Sequence, residues 1–181
     1  ANFNHEPNVD AIKYFLDHIV EHLSERVRNE QFYIVGKNGK RLFSKYSKNN
    51  NIKLTFIDYV DDINTFLGQR RVNIAPLRFG AGIKGKIAQA LVNGVPTIST
   101  SIGFEGMKKN IFKNFLADKP KIFADKLDRL YFDEDHWSQS QKEIVYYSRI
   151  WSLDFNQKLI KKFLSKNKLK SSKLLYNVKL L

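Results

Sequence analysis

Short apolar runs alternate with helical patterns along most of the chain, and this order limits the fold more than any other feature. The runs predict buried strands, each stopped by a glycine, a proline or a polar loop, at 31–36, 52–60, 71–76 and 95–100, with 115–118 as a further candidate. Strands that alternate with helices form right-handed βαβ units, whose parallel sheet is covered by helices on both faces. The chain is therefore expected to have an α/β fold built on a parallel sheet.

The helical segments follow from apolar residues spaced three and four apart. The predicted helices cover 10–28, 42–46, 61–67, 83–92, 120–131, 134–148 and 155–166. Asn8 is the predicted N-cap of the first helix, and Gly94 suits the C-terminal cap of the fourth. Ligands of such folds bind beyond the carboxyl ends of the strands. The loops to inspect for a site therefore follow Val35, Val60, Pro76 and Thr100.

Composition excludes several classes of protein. The 181 residues include no cysteine and only four histidines, so neither a disulfide framework nor a metal site is expected. No apolar run approaches the ~20 residues of a membrane-spanning helix, and no signal peptide is visible, which predicts a cytoplasmic protein. A net charge of +13 points to an anionic partner: nucleic acid, a membrane surface or a phosphorylated ligand.

The positive charge is concentrated at the carboxyl end of the chain. Residues 156–181 contain eight lysines and no acidic residue. We divide the chain into a globular unit over 1–155 and a basic helix and tail over 156–181. The second part is amphipathic and can lie on an anionic bilayer, as a peripheral attachment at the inner face of a membrane. A final helix that packs on the fold, with its lysines in water, is the alternative.

The amino-terminal residues contain no strand ahead of the first predicted helix. A doubly wound domain normally begins with a strand. We therefore expect further polypeptide before Ala1, including that first strand and a preceding domain.

The densest chemistry follows the third predicted strand. The loop after Pro76 carries glycines at 80, 82 and 85 and three cations, Arg78, Lys84 and Lys86. Unpaired N–H groups at a helix start carry partial positive charge, so this loop is a ready site for a phosphate or diphosphate. A tight turn whose lysines face water is the alternative. The spacing also fits Gly-x-x-x-x-Gly-Lys of a nucleoside triphosphatase loop, but Ile87 stands where Ser or Thr would hold magnesium.

Five stretches match one family in that family's own order. They are His5–Ala11, Phe32–Gly36, Phe56–Ile63, Ala75–Lys86 and Gly94–Met107. Together they closely resemble the donor-binding domain of GT-B glycosyltransferases, specifically family 4 (the group 1 transferases). The resemblance covers Phe3 to Phe163, and it implies a Rossmann-like domain that forms the C-terminal half of a GT-B fold.

The resemblance implies transfer of a sugar from a nucleotide sugar to an acceptor hydroxyl, without a metal or other cofactor and with retention of the anomeric configuration. The nucleotide-sugar site is then expected in 1–155. A glycan or lipid-linked acceptor is expected on the preceding domain, so this chain alone should transfer nothing. The donor-binding residues so implied are Tyr59, Val60, Arg78, Gly82, Ile83, Lys84, Gly85, Lys86, Gln89, Thr100 and Ser101.

The sequence departs from the family at two positions, because the usual pair of glutamates falls on Ala81 and Gln89. Glu105 and His5 are the candidate catalytic residues, and the alternatives are a solvated charge for Glu105 and a local hydrogen-bonding role for His5. A catalytically silent nucleotide-sugar-binding module is therefore a second interpretation. A basic nucleic-acid-binding domain is a third, although no recognition motif supports specific binding of nucleic acid.

Overall fold

The structure is a computed structural model that describes residues 1–49, 52–107 and 112–149. The helices are α1 (Glu6–Tyr14), α2 (Glu25–Arg28), α3 (Gly39–Asn49), α4 (Ile63–Gly68), α5 (Gly85–Val92), α6 (Pro120–Phe132) and α7 (Glu134–Ser148). The strands are β1 (Gln31–Val35), β2 (Lys53–Ile57), β3 (Asn73–Ala75) and β4 (Thr97–Ser99). A π-helical turn, Phe15–Ile19, and a 3₁₀ turn, Val20–His22, connect α1 to α2.

The strands form two parallel pairs. In the first pair β1 lies beside β2, from Gln31 opposite Lys53 to Val35 opposite Ile57. In the second pair, the three residues of β3 lie opposite the three residues of β4. The predicted parallel strands with flanking helices are confirmed, but within the described residues the two pairs do not join into one sheet. The candidate strand at 115–118 is reduced to a single parallel bridge between Ser99 and Leu116.

The first predicted helix differs most from the structure. Helix α1 begins four residues earlier than predicted, with His5 as its N-cap and Pro7 in its first turn, where the fixed φ of proline suits a helix start. The prediction of Asn8 as the cap is therefore wrong, and its side chain instead donates to the Asn2 carbonyl at 2.7 Å. The continuous helix to residue 28 is also wrong, because the backbone at Leu23 is extended and Ser24 caps a separate helix α2.

Helix α3 is longer than the short helix predicted at 42–46. It begins at Gly39, directly after Asn38, whose φ of 69° lies in the left-handed region. A side chain at residue 39 would stand 3.2 Å from the Phe3 ring. The glycine therefore lets the start of α3 lie close against Phe3 near the amino terminus. Phe43 of the same helix is fully buried and meets Phe3 edge-to-face at 5.2 Å.

The buried core joins the helices to the strands. Its fully buried large side chains include Leu16, Ile19, Phe43, Ile87, Ile98, Phe104 and Phe123. Helix α6 is fastened to the start of α2, because Asp128 accepts hydrogen bonds from Ser24 and Arg26. No helix of the described ranges is long and apolar enough to cross a bilayer. The helix predicted at 155–166 and the basic tail lie outside the described residues.

Candidate functional site

The loop between β3 and α5 ends in a helix N-terminus. Gly80 and Gly82 adopt positive φ values of 110° and 77°, which glycine tolerates without steric cost. The helix begins two residues later than predicted, with Lys84 as its N-cap. Its first i→i−4 hydrogen bond runs from the Ala88 N–H to the Lys84 carbonyl at 3.1 Å. The N–H groups of Gly85 and Lys86 precede that first bond, so they have no partner within the helix. They add a partial positive charge to the loop.

The ammonium of Lys84 is turned into its own loop. It donates to the carbonyls of Gly80 and Gly82 at 2.9 and 2.5 Å, and it pairs with the Glu105 carboxylate at 3.2 Å. Only 9% of the Lys84 side chain is exposed. This cation therefore sets the curvature of the loop and joins it to the loop after β4.

Lys86 has a different environment. Its ammonium donates to the side-chain oxygen of Asn8 on α1, and burial together with the neighbouring charge of Lys84 lowers its pKa below the usual lysine value. Within the part of the chain that the structure describes, no carboxylate pairs with this ammonium, whereas Glu105 pairs with Lys84. Positive charge at Lys86 is therefore left uncompensated by acidic side chains.

Arg78 ties the same loop to α1. Its guanidinium makes a two-pronged contact with the Asp10 carboxylate, with Nε at 2.9 Å, and stacks 4.8 Å over the Tyr14 ring. The hydrogen bond from Arg78 lowers the pKa of Asp10 below its ordinary value. This arginine was predicted to bind the donor, and in the structure it is paired with the Asp10 carboxylate of α1.

The N-terminus of α1 reaches the loop from the other side. A side chain at residue 80 would lie 3.5 Å from Pro7, in the first turn of α1. His5 is exposed at the N-cap of this helix and makes no capping bond with its side chain. Two helix N-termini, those of α1 and α5, therefore face one loop.

The loop after β4 completes this surface. A side chain at Gly106 would stand 2.8 Å from Cγ1 of Ile83, so the absence of a side chain there lets the two loops interlock. Thr100 is buried, and its hydroxyl donates to the Leu77 carbonyl and accepts from the Gly103 N–H at 3.1 Å. Its hydroxyl thus joins Leu77, which follows β3, to the loop after β4. Ser101 is partly exposed, and its N–H donates to Asp118 at 2.7 Å.

The remaining predicted donor residues lie on the side of α4. Tyr59 is 75% exposed in the loop after β2, and Val60 beside it is half-buried. Gln89, on the second turn of α5, donates to the Asn64 amide oxygen at 3.3 Å, and Asn93 donates to the same oxygen at 3.0 Å. The structure thus links α5 to α4 through amides.

Three partners of predicted site residues escaped the sequence analysis: Asn8 as the partner of Lys86, Asp10 as the partner of Arg78, and Asn64 as the partner of Gln89. Each pair is separated by 25 to 78 residues, so no local pattern could have connected them. Among the described residues no group of three His, Asp or Glu side chains is arranged to hold a metal ion.

Comparison with known proteins identifies the family. The model described as glycosyl transferases group 1 matches residues 1–133. The chain belongs to the group 1 glycosyl transferases. No curated protein matches its sequence, so the remaining similarity is structural.

Two solved structures share the fold of this glycosyltransferase. WaaG, a glycosyltransferase involved in lipopolysaccharide biosynthesis, has a TM-score of 0.66 at 13% identity, over 79% of this chain and 40% of that chain. The catalytic domain of cholesterol-alpha-glucosyltransferase from Helicobacter pylori has a TM-score of 0.65 at 11% identity, over 84% of this chain and 95% of that chain. The chain thus spans less than half of the WaaG structure. The predicted GT-B family and fold are confirmed.

Proposed function

We propose that this chain is the donor-binding half of a glycosyltransferase and holds the diphosphate of a nucleotide sugar at the N-terminus of α5. The proposal rests on the charge environment of Lys86. Its ammonium stands at the first turn of α5 without a carboxylate partner among the described residues, whereas Arg78 and Lys84 are both paired. A diphosphate supplies the negative charge that this corner of the loop lacks.

The leaving group explains why such a site suits sugar transfer. When the bond between the sugar and the diphosphate breaks, negative charge grows on the phosphate oxygen. Helix N–H groups and an adjacent cation stabilise that charge without reorganising, which is the most effective kind of catalytic stabilisation. The N–H groups of Gly85 and Lys86 and the Lys86 ammonium provide both elements. Under this proposal the reaction needs no metal ion, and retention at the anomeric carbon is what the family resemblance implies.

The other loop residues prepare the site. Lys84 curves the backbone of Gly82 and Ile83 toward the phosphates, and Arg78 holds the loop against α1. A phosphate near Lys84 competes with Glu105 for its ammonium, which frees the Glu105 carboxylate to face the transferred sugar. His5 lies at the α1 side of the same loop and faces the sugar from there.

The nucleoside end of the donor extends toward α4. The side-chain amide of Gln89 then bonds the ribose hydroxyls in place of Asn64, and Tyr59 and Val60 border the base. Thr100 and Ser101 support the loop near the sugar. The acceptor, a glycan or lipid-linked alcohol, binds on polypeptide outside this chain, so the chain alone binds the donor and transfers nothing.

The test is titration calorimetry of the chain with UDP, GDP and ADP, and then with the sugar esters of the nucleotide that binds. Lys86→Gln removes the uncompensated charge and should weaken binding at least tenfold. Lys84→Ala should weaken binding through the loop, with a larger loss of thermal stability because two carbonyls and Glu105 lose their partner.

Lys121→Ala is the matched control, since this lysine is exposed and pairs with Asp125 on the surface of α6. It removes the same charge and should leave nucleotide affinity unchanged. Equal affinity in the Lys86→Gln and Lys121→Ala chains would show that the diphosphate does not bind at α5. Sugar transfer by the unmodified chain would instead contradict the assignment of a donor-binding half.

A further inference from the structure

Two asparagines of the chain are followed directly by glycine, and each pair lies at one end of a helix. Asn38 and Gly39 stand at the start of α3, whereas Asn93 and Gly94 stand at the end of α5. Both glycines are buried, and the N–H of each donates to the carbonyl three residues earlier, at 3.1 Å for Gly39 and 3.0 Å for Gly94. The two glycine nitrogens therefore have similar hydrogen bonds, and the pairs differ in the asparagine side chain.

The side chain of Asn93 is held in place by two hydrogen bonds. Its amide nitrogen donates to the Asn64 side-chain oxygen at 3.0 Å and to the Gln89 carbonyl at 2.8 Å. The residue is also half-buried. To turn toward the Gly94 nitrogen, this amide must break both bonds, each of which contributes to stability.

The side chain of Asn38 has no comparable restraint. The residue is exposed, and among the described residues no hydrogen-bond partner contacts its side-chain amide. Its bonds are made by the backbone: its N–H donates to the Asp58 carboxylate at 3.1 Å, and its carbonyl accepts from the Leu42 N–H at 3.1 Å. The main chain at residue 38 is therefore fixed while the amide is free to rotate in water.

The charges that flank the two pairs also differ. Lys37, Lys40 and Arg41 are exposed next to the first pair, whereas neither 89–92 nor 95–98 contains a charged residue next to the second. A nearby positive charge favours the negatively charged form of a group. Loss of a proton from the glycine amide is therefore easier in the first pair than in the second.

We propose that Asn38 is a site of spontaneous deamidation. The Gly39 nitrogen, after its proton passes to hydroxide, attacks the side-chain carbonyl carbon of Asn38 and closes a succinimide ring, while the bond from that carbon to Nδ2 breaks and ammonia leaves with a proton from water. Water then opens the ring at either carbonyl, which yields aspartate or its isoaspartyl isomer. Overall, one water enters and one ammonia leaves. Glycine permits the attack because no Cβ shields its nitrogen, and asparagine is among the thermolabile residues of proteins.

Deamidation at residue 38 changes a junction between two loops. The Asn38 N–H joins the loop after β1 to Asp58 in the loop after β2. A carboxylate at residue 38 adds a second negative charge near Asp58, and like charges disfavour each other. The isoaspartyl form also adds one carbon to the main chain where α3 begins. Both products weaken this junction, and the reaction is independent of the proposed donor site because it does not involve the loop before α5.

The experiment holds the full chain in mildly alkaline buffer, samples it over several days and cleaves it after aromatic residues. Asn38 and Asn93 are the only asparagines in their peptides, 34–43 and 80–104. Mass spectrometry therefore follows the replacement of NH₂ by OH at each residue separately. Residue 38 should react roughly tenfold faster or more, because Asn93 must first break two hydrogen bonds. The isoaspartyl isomer should accompany aspartate, since the ring opens at both carbonyls.

Asn38→Gln is the matched control, because it keeps the amide but its longer side chain disfavours ring closure, so its peptide should gain no mass. Lys40→Gln should slow the reaction at Asn38 severalfold, and Asn64→Ala should speed the reaction at Asn93. In urea the two residues should react at more similar rates, since Asn93 loses its bonds. No reaction at residue 38, equal rates at the two residues in the folded chain, or a ratio that urea leaves unchanged would overturn the proposal.

Discussion

Replacement of Thr100 by valine is expected to destabilise the protein without changing the shape of the side chain. Valine keeps the branched volume but lacks the hydroxyl that donates to the Leu77 carbonyl and accepts from the Gly103 N–H. Thr100 is 4% exposed and Leu77 is 2% exposed, so water cannot readily take over these bonds. The substitution therefore leaves one acceptor and one donor unpaired inside the fold.

The magnitude follows from those two groups. Each buried polar group that loses its partner costs about 1–3 kcal/mol, and the added methyl group returns about 0.8 kcal/mol by burial. With about 2 kcal/mol for each of the two groups and the methyl term subtracted, we expect Thr100→Val to lower the free energy of unfolding by about 3 kcal/mol. For a chain of this size the melting temperature should fall by roughly 6–12 °C. Thr100→Ser keeps the hydroxyl and loses one methyl group, so about 1 kcal/mol is expected.

The assay is equilibrium unfolding in urea, followed by circular dichroism, with melting curves as an independent measure. The slope against urea concentration should stay the same in all three proteins, which shows that the change lies in stability rather than in the unfolded state. A valine variant as stable as the serine variant would refute the reasoning, because the hydroxyl bonds would then contribute nothing. The same variants test the predicted donor role of Thr100, since a purely supporting residue should leave nucleotide affinity unchanged in the folded valine variant.

Three further predictions concern charge. Nucleotide affinity should fall as pH rises through the lowered pKa of free Lys86, since the bound diphosphate favours the ammonium; calorimetry should show this pH dependence lost in Lys86→Gln. The Arg26 hydrogen bond lowers the pKa of Asp128 in the folded protein. The stability that this bond contributes is therefore present above the unfolded pKa of about 4 and is lost as pH falls through the lower folded pKa. Urea midpoints of Asp128→Asn should show a weaker acid dependence. Removal of 156–181 should abolish co-sedimentation with anionic vesicles, and equal binding of the full chain and the truncated chain would contradict a peripheral role for the tail.

The strands and the phosphate loop could be predicted because their signals are local. An apolar run that ends at Pro76, followed by glycines and then a helical pattern, contains its own strand, turn and helix start. The positions of β1 to β4 and the start of α5 were therefore correct to within a few residues. The same local reasoning placed Arg78, Lys84 and Lys86 around one loop, and the structure brings them there.

The partners of those cations could not be predicted, because each comes from a distant part of the chain. Nothing near residue 10 indicates that Asp10 meets Arg78, or that Lys84 turns inward to Gly80 rather than outward to water. The break in the first helix was missed for a related reason. The apolar spacing from residue 12 to 23 identifies a buried face, but it does not distinguish a straight helix from one that widens into a π-helical turn, tightens into a 3₁₀ turn and ends at Leu23.

The contact between Gly106 and Ile83 couples the loop after β4 to the loop that leads into α5. Because one loop fits into the space left by the other, neither can be lengthened or reshaped independently. A substitution at Gly106 must also displace Ile83, next to the start of α5. Under the donor site proposed above, sugar preference and nucleotide affinity would be inherited together, and a change of sugar would need paired substitutions in both loops.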